Sequence, residues 1–229
     1  EGNQNFLNPE LLRPLVEKVN PTFVETNVLY VGKRRYTDSH IALAKEHGFT
    51  FAPIDILDDE GETEIPAEGL KHYTKVKTGS HFNNYDNYII YSHFKGHGSA
   101  GFGGAIKNVS MGLASPGGKM AMHATNFPTT ADPEACVNCQ RCVSQCPAKA
   151  ITITENGPVI DTTKCIGCAK CIAECPLKIF KPDRKEIEES VFLERLVEYA
   201  KVMCEAKPMV YINIMENKTK TYCSLYKTN

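Results

Sequence analysis

The chain has 229 residues, a formal charge of −1 and 42% apolar residues. That is long enough for an α/β core plus a smaller module, and too apolar for extended disorder. The near-zero charge gives no electrostatic case for nucleic acid or an anionic membrane, and no stretch reaches the roughly 18 apolar residues that a membrane helix needs.

The start, Glu1-Gly2-Asn3-Gln4, has neither a Met nor a basic-then-apolar signal pattern, as expected of an internal or processed start. Pro9-Glu10 predicts a helix through Leu11, Leu12, Leu15, Val16 and Val19, with Pro14 confining or kinking it. Thr22 to Glu25 and Val28 to Val31 read as short strands. Asp38-Ser39 is the expected N-cap of a helix over Ile41, Ala42 and Ala44, closed by Gly48. Phe49 to Ile56 reads as a strand, and the acidic run Asp58-Asp59-Glu60-Gly61-Glu62 as a solvated turn. Tyr88 to Tyr91 suits a buried strand, and a glycine-rich stretch separates it from a helix over Ala105 to Leu113. Pro128 to Pro133 is a composition break and an expected hinge. Lys185 to Glu205 has helical periodicity, with Ile187, Val191, Leu193, Leu196, Val197 and Ala200 on its apolar side. Pro208 stops it, and Met209 to Ile214 reads as one more buried strand. The expected fold is an α/β main domain with a mainly parallel sheet, formed by residues 1–130 and 183–229. A small α+β ferredoxin-like module, residues 131–182, is inserted in it.

Eight of the ten cysteines lie in two matching runs. The first is Cys136-x2-Cys139-x2-Cys142-x3-Cys146-Pro147, and the second Cys165-x2-Cys168-x2-Cys171-x3-Cys175-Pro176, offset by 29 residues. The tails Ala148-Lys149-Ala150-Ile151 and Leu177-Lys178-Ile179-Phe180 match too, so two similar halves related by a pseudo-twofold are expected. Three cysteines at this interval can wrap one corner of a 4Fe–4S cubane, and in this spacing pattern the fourth ligates the other cluster. The expected sets are therefore Cys136, Cys139, Cys142 and Cys175 for one cluster, and Cys165, Cys168, Cys171 and Cys146 for the other. Structural zinc favours pairs of cysteines separated by a longer loop, and disulfides favour small secreted scaffolds, so neither explains the spacing. The segment looks like the small two-cluster ferredoxins along its whole length. Its acids and bases nearly balance, which favours a relay serving its own protein or a fixed partner over a charge-steered free carrier. Cys204 is expected in a helix core, and Cys223 lies in a polar tail.

The stretch from Ser92 to His123 combines glycines with His93, Lys95, His97, Lys107, Lys119 and His123. Gly96-x-Gly98-x-x-Gly101 matches the dinucleotide fingerprint literally, after a strand and before a helix, but no acidic strand end follows at the usual offset of about 20 residues. Gly112 to Lys119 is not a phosphate-binding P-loop, since the interval is wrong and Met120 stands where Ser or Thr is needed. Glycines allow close backbone approach and a helix start favours an anion. The six basic side chains are therefore candidates for an anion or substrate pocket facing the cysteine module; the competing reading is a packed loop with its Lys and His in solvent.

Ser92-His93-Phe94-Lys95-Gly96-His97, Gly101-Phe102-Gly103-Gly104-Ala105-Ile106-Lys107-Asn108-Val109-Ser110-Met111-Gly112, Gly118-Lys119 and His123 resemble a family of anaerobe and archaeal proteins, domain of unknown function three-six-two. Thr26-Asn27-Val28-Leu29-Tyr30 and Arg34-Arg35 fit its upstream pattern, so the resemblance covers about residues 8 to 215. It implies an iron–sulfur protein, often with the same two-cluster insert, and no established substrate.

The expected function is electron transfer through two 4Fe–4S clusters, in the cytoplasm, to a redox partner protein or to a small anionic ligand on the α/β domain. A reductase acting on a small anion near Ser92 to His123, and a non-enzymatic redox-sensing or scaffold subunit, are the alternatives.

Overall fold

A computed structural model describes residues 6–29, 32–97, 100–123, 127–182 and 188–215. The elements follow in chain order: α1 (Arg13–Val19), β1 (Phe23–Glu25), α2 (Thr37–Glu46), β2 (Ile54–Ile56), β3 (Glu62–Pro66), β4 (Lys75–Gly79), β5 (Tyr88–His93), β6 (Lys95–His97), β7 (Gly101–Gly103), α3 (Ala105–Leu113), α4 (Pro116–His123). The cysteine segment adds β8 (Pro128–Thr130), α5 (Arg141–Ser144), β9 (Ile151–Thr154), β10 (Gly157–Ile160), α6 (Lys170–Glu174) and β11 (Phe180–Pro182). Then α7 (Glu189–Ala206) and β12 (Met209–Ile214) follow.

The fold is mixed α/β, but its strands pair two by two. Among the described residues, β1–β2 and β5–β12 are parallel, whereas β3–β4, β6–β7, β8–β11 and β9–β10 are antiparallel. The mainly parallel sheet expected from the alternation is not seen among the described residues, where two separate two-stranded ladders are parallel and four are antiparallel. Most of the remaining ladders join strands with short connections, which antiparallel pairing permits. No helix among the described residues is long and apolar enough to cross a membrane.

Local chemistry explains most of the boundaries. Asn8 accepts a hydrogen bond from the Glu10 amide and caps a short 3-10 turn, Pro9–Leu11. Pro14 then occupies the second position of α1, where a missing N–H costs nothing. Helix α2 starts at Thr37, so Asp38 lies in its first turn rather than at its cap, and His40 and Leu43 supply its buried face. Of the expected Phe49 to Ile56 strand only β2 is paired, and the described part of Val28 to Val31 is not a strand. Helix α7 covers the described part of the Lys185 to Glu205 expectation; residues 185–187 lie outside the described residues.

Two apolar cores result. The larger packs α3 and α7 around β4 and β5, with Phe82, Val109, Tyr199 and Met203 almost wholly buried. The smaller gathers Cys142, Cys171, Cys175, Ile151, Ile172, Ile179 and Phe180. Helix α4 belongs to both: Met120 packs into the cysteine core, while Ala121 and Met122 pack into the larger one. It lies close against β4, and a Cβ at Gly118 would stand 2.4 Å from the Lys77 carbonyl oxygen. No side chain larger than hydrogen fits there, which is why Gly117 and Gly118 are tolerated inside a helix.

Candidate metal centres and a basic cluster

The sequence repeat is a structural repeat. Helices α5 and α6 occupy matching positions and pack on each other. Non-glycine residues in the left-handed region recur at the same offset: Gln140 (φ 60°) matches Ala169 (φ 62°), and Lys149 (φ 49°) matches Lys178 (φ 58°). Asn138 (φ 53°) matches Gly167 (φ 67°). Such conformations persist where the surroundings over-determine them, and they gather at ligand clamps. The antiparallel pairs β9–β10 and β8–β11 complete the two halves.

Each half closes over a cavity holding about 330 Å³ of empty space, open mouth included. Cys136, Cys139, Cys142 and Cys175 line the first, with Ile153, Leu177, Ile179 and Phe180 around them. Cys146, Cys165, Cys168 and Cys171 line the second, among Ile151, Ile160 and Ile166. All eight thiols are free. The remote cysteine of each run thus sits with the three of the other run.

Electrostatics divides the thiols in the same way. Burial raises the Cys142 pKa, and the neighbouring Cys175, Cys136 and Cys139 raise it further. Cys171 is pushed up to about 12 by burial and by Cys168, Cys165 and Cys146. Four thiolates in an apolar cavity repel one another, so a cation among them would be strongly favoured. Yet no group of three or more His, Cys, Asp or Glu among the described residues is drawn together as a single ion requires. That donor set, four thiols that are soft and anionic when deprotonated, is of the kind that holds an iron–sulfur group.

The second cavity is docked on the rest of the protein. The Lys77 ammonium donates to the Ile166 carbonyl at 2.6 Å and pairs with Glu62 at 3.1 Å. Ser115 Oγ donates to the other Glu62 oxygen at 2.8 Å. Glu62 is close enough to help raise the Cys168 pKa, second to burial. Tyr36 Oη donates to the Ala173 carbonyl at 2.9 Å. None of these docking residues was anticipated from the sequence.

The six basic residues of the Ser92 to His123 stretch divide. Lys119 is buried, and its ammonium donates to Thr26 O (3.1 Å), Thr26 Oγ1 (2.5 Å) and Asn27 O (2.5 Å), so it ties α4 to the end of β1. Burial lowers its pKa to about 8 despite Glu25 and Asp58 nearby. His123 bonds to the Lys119 carbonyl at 2.9 Å, with its ring 4.8 Å from that of Phe192. Both ring nitrogens of His93 are buried and make no hydrogen bond among the described residues. Lys95, His97 and Lys107 do gather at the carboxyl end of β5. Asp58, expected in a solvated turn, instead accepts from the Asn27 amide (2.7 Å) and side chain (3.2 Å). Asn27 Oδ1 in turn meets His40 Nδ1 at 3.3 Å. Cys204 is half-buried against the larger core and accepts from Tyr211 Oη at 2.9 Å. Cys223 lies outside the described residues.

Fold and site together define a mixed α/β protein with a duplicated eight-cysteine segment. The chain belongs to the family described as Domain of unknown function (DUF362), whose model matches residues 1–223, beyond both ends of the resemblance traced in the sequence. Comparisons with curated proteins and with solved structures find no match.

Proposed function

We propose that the chain is an iron–sulfur electron-transfer protein holding two 4Fe–4S clusters, one in each thiol-lined cavity. The observation that carries this reading is the sorting of eight cysteines into two crossed sets of four around two cavities of equal size. Bound there, such clusters supply one-electron chemistry at potentials set by their surroundings. Cys146 and Cys175 each reach across to the other half, so the two sites support each other. Lys77 and Tyr36 hold the second half against the α/β body. The apolar lining shields Cys142, Cys171 and Cys175, which are buried, while Cys139 stays open to solvent.

We read residues 131–182 as a ferredoxin-like module inserted in the α/β body. Strands β8 and β11, which lead into and out of it, lie side by side, and β5 before it pairs in parallel with β12 after it. Free thiols that must stay available for iron suit a reducing compartment, so a cytoplasmic setting goes with this reading. Electrons pass to a redox partner protein or to a ligand on the body. The gathering of Lys95, His97 and Lys107 favours, as a second reading, a reductase with a small anionic substrate.

Anaerobic purification tests the proposal. About eight iron and eight sulfide per chain are expected, with two interacting paramagnetic centres after chemical reduction. Reconstitution with iron and sulfide that yields only two bound zinc ions would overturn it. A redox partner or oxidant that reoxidises the reduced protein would then separate a relay from a scaffold.

A further inference from the structure

Positive charge gathers at the carboxyl end of β5, where Lys95 and Lys107 meet no acidic side chain among the described residues. In the β6–β7 ladder Lys95 faces Gly103, and a Cβ on Gly103 would stand 3.2 Å from Lys107 Cδ and 3.9 Å from the Lys95 carbonyl oxygen. The Lys107 stem therefore lies over the strand pair that carries Lys95. His97, two residues on, feels both lysines, and Lys95 feels Arg34. All four side chains are half-buried. Neither Lys95 nor Lys107 has an acidic partner or a hydrogen-bond acceptor among the described residues. Burial is the first cause lowering the pKa of each lysine and of His97, and their mutual repulsion adds to it. Half-burying like charges together costs free energy in the chain alone, and it is recovered when an anion joins them.

The donors are set for such a ligand. The Ala100 amide donates to His97 Nδ1 at 3.1 Å, so the neutral ring carries its proton on Nε2 and keeps that nitrogen as a donor. The lysines are compact point charges of the kind that bind phosphate. The first turn of α3, which contains Lys107, adds polarity of the same sign. His93, with both nitrogens buried and unpaired, stands two residues before Lys95.

We propose that Lys95, His97 and Lys107, with Arg34 beside them, bind a small phosphate-type oxyanion at the carboxyl end of β5. The charge count selects the class: the two lysines exceed what one carboxylate neutralises, whereas a phosphate group carries about −1.5 to −2 near neutral pH. Lys119 and His123 are outside this site, because their polar atoms serve Thr26, Asn27 and the α4 backbone.

Titration calorimetry of inorganic phosphate into the intact chain, at low and constant ionic strength, tests this. Saturable binding is expected, stronger for phosphate than for acetate. The Lys95→Gln/Lys107→Gln double variant should bind at least about tenfold more weakly. Without phosphate it should unfold at the same temperature as the parent or higher, because a repulsion has been removed. No saturable binding, equal binding of acetate, or undiminished binding by the double variant would each overturn the proposal, as would a double variant that folds but unfolds at a lower temperature than the parent. If the double variant fails to fold, each single Lys→Gln variant is held to the same two criteria. A chain stripped of iron should still bind phosphate, so failure here is distinct from failure of the iron–sulfur reading.

Discussion

The two halves of the cysteine segment share one sequence pattern and one set of left-handed backbone positions, yet they live in different surroundings. The first half faces outward: Cys139 is exposed, and Val137, beside it, is 69% exposed, with Leu177 and Val159 also open to solvent. The second half leans on the α/β body through Lys77, Glu62 and Tyr36, and α4 presents Gly117 to it so closely that a Cβ there would stand 3.1 Å from the Gly167 carbonyl oxygen. Duplication made two equal containers, and packing then gave them different neighbours. In an electron-transfer reading, the outward half meets a partner and the inward half meets the body.

The strongest break in this comparison is covalent. Cys146→Ala should cost the iron of the inward set, Cys165, Cys168 and Cys171, and Cys175→Ala that of the outward set, so each variant should retain about four of eight irons. Spectroscopy that assigns the loss to the variant's own half would refute the crossed arrangement.

A second break comes from acid. His40 is buried, and its pKa falls from 6.5 to about 4 through burial first, then Arg34 and Lys119. The native chain keeps the ring neutral while the unfolded chain takes up a proton, so this contribution is complete above pH 6.5 and is lost as pH falls toward 4. The total is about 3 kcal/mol at about 1.4 kcal/mol per pH unit. His40 holds Asn27, whose carbonyl holds Lys119, whose neighbour Met120 packs into the cysteine core. Denaturant midpoints between pH 4 and 7 should therefore flatten in His40→Gln relative to the parent.

Lys77→Met should cost about 2 kcal/mol, since it frees the Ile166 carbonyl and leaves a mostly buried Glu62 without its cation. Its effect on cluster lability should be confined to the inward half. On the outer surface, Arg141→Ala breaks a 3.3 Å pair with Glu174 and should change stability by less than about 0.5 kcal/mol. Chemical denaturation of both variants measures the contrast, and equal losses would erase it.

The cysteine repeat was the most legible part of the sequence, because a thiol repeat constrains chain geometry directly; the cavity linings group the same cysteines, and their ligation of clusters belongs to the proposed function. Helix α3 and strand β5 were also legible, since each has a clean apolar pattern and nearby stop signals; β12 was legible as a strand but not as the buried one expected, since Val210 is 60% and Tyr211 46% exposed. Helix α4 was hidden by its Pro-Gly-Gly start, which local propensity reads as a loop and close packing against β4 turns into a helix. The β3–β4 hairpin was hidden because its alternating charged residues resemble solvated chain. The acidic turn misled in another way. Asp58 is drawn inward by Asn27, which stands 31 positions earlier, a long-range bond that no local pattern records. Burial is also what separated Lys119 from its basic neighbours, since from sequence a lysine in a glycine-rich stretch looks like a ligand to any anion nearby.

The antiparallel pair β8–β11 has an evolutionary reach. Pro128 sits opposite Pro182 and Thr130 opposite Phe180, so the chain enters and leaves the cysteine segment about 5 Å apart. A stretch of polypeptide whose ends are that close behaves as a cassette. A short turn can replace it without moving its flanks, and the same stretch can be grafted into an unrelated loop of matching gap. Recombination at these two points would exchange the whole cysteine segment in one event and, in the iron–sulfur reading, the redox centres with it.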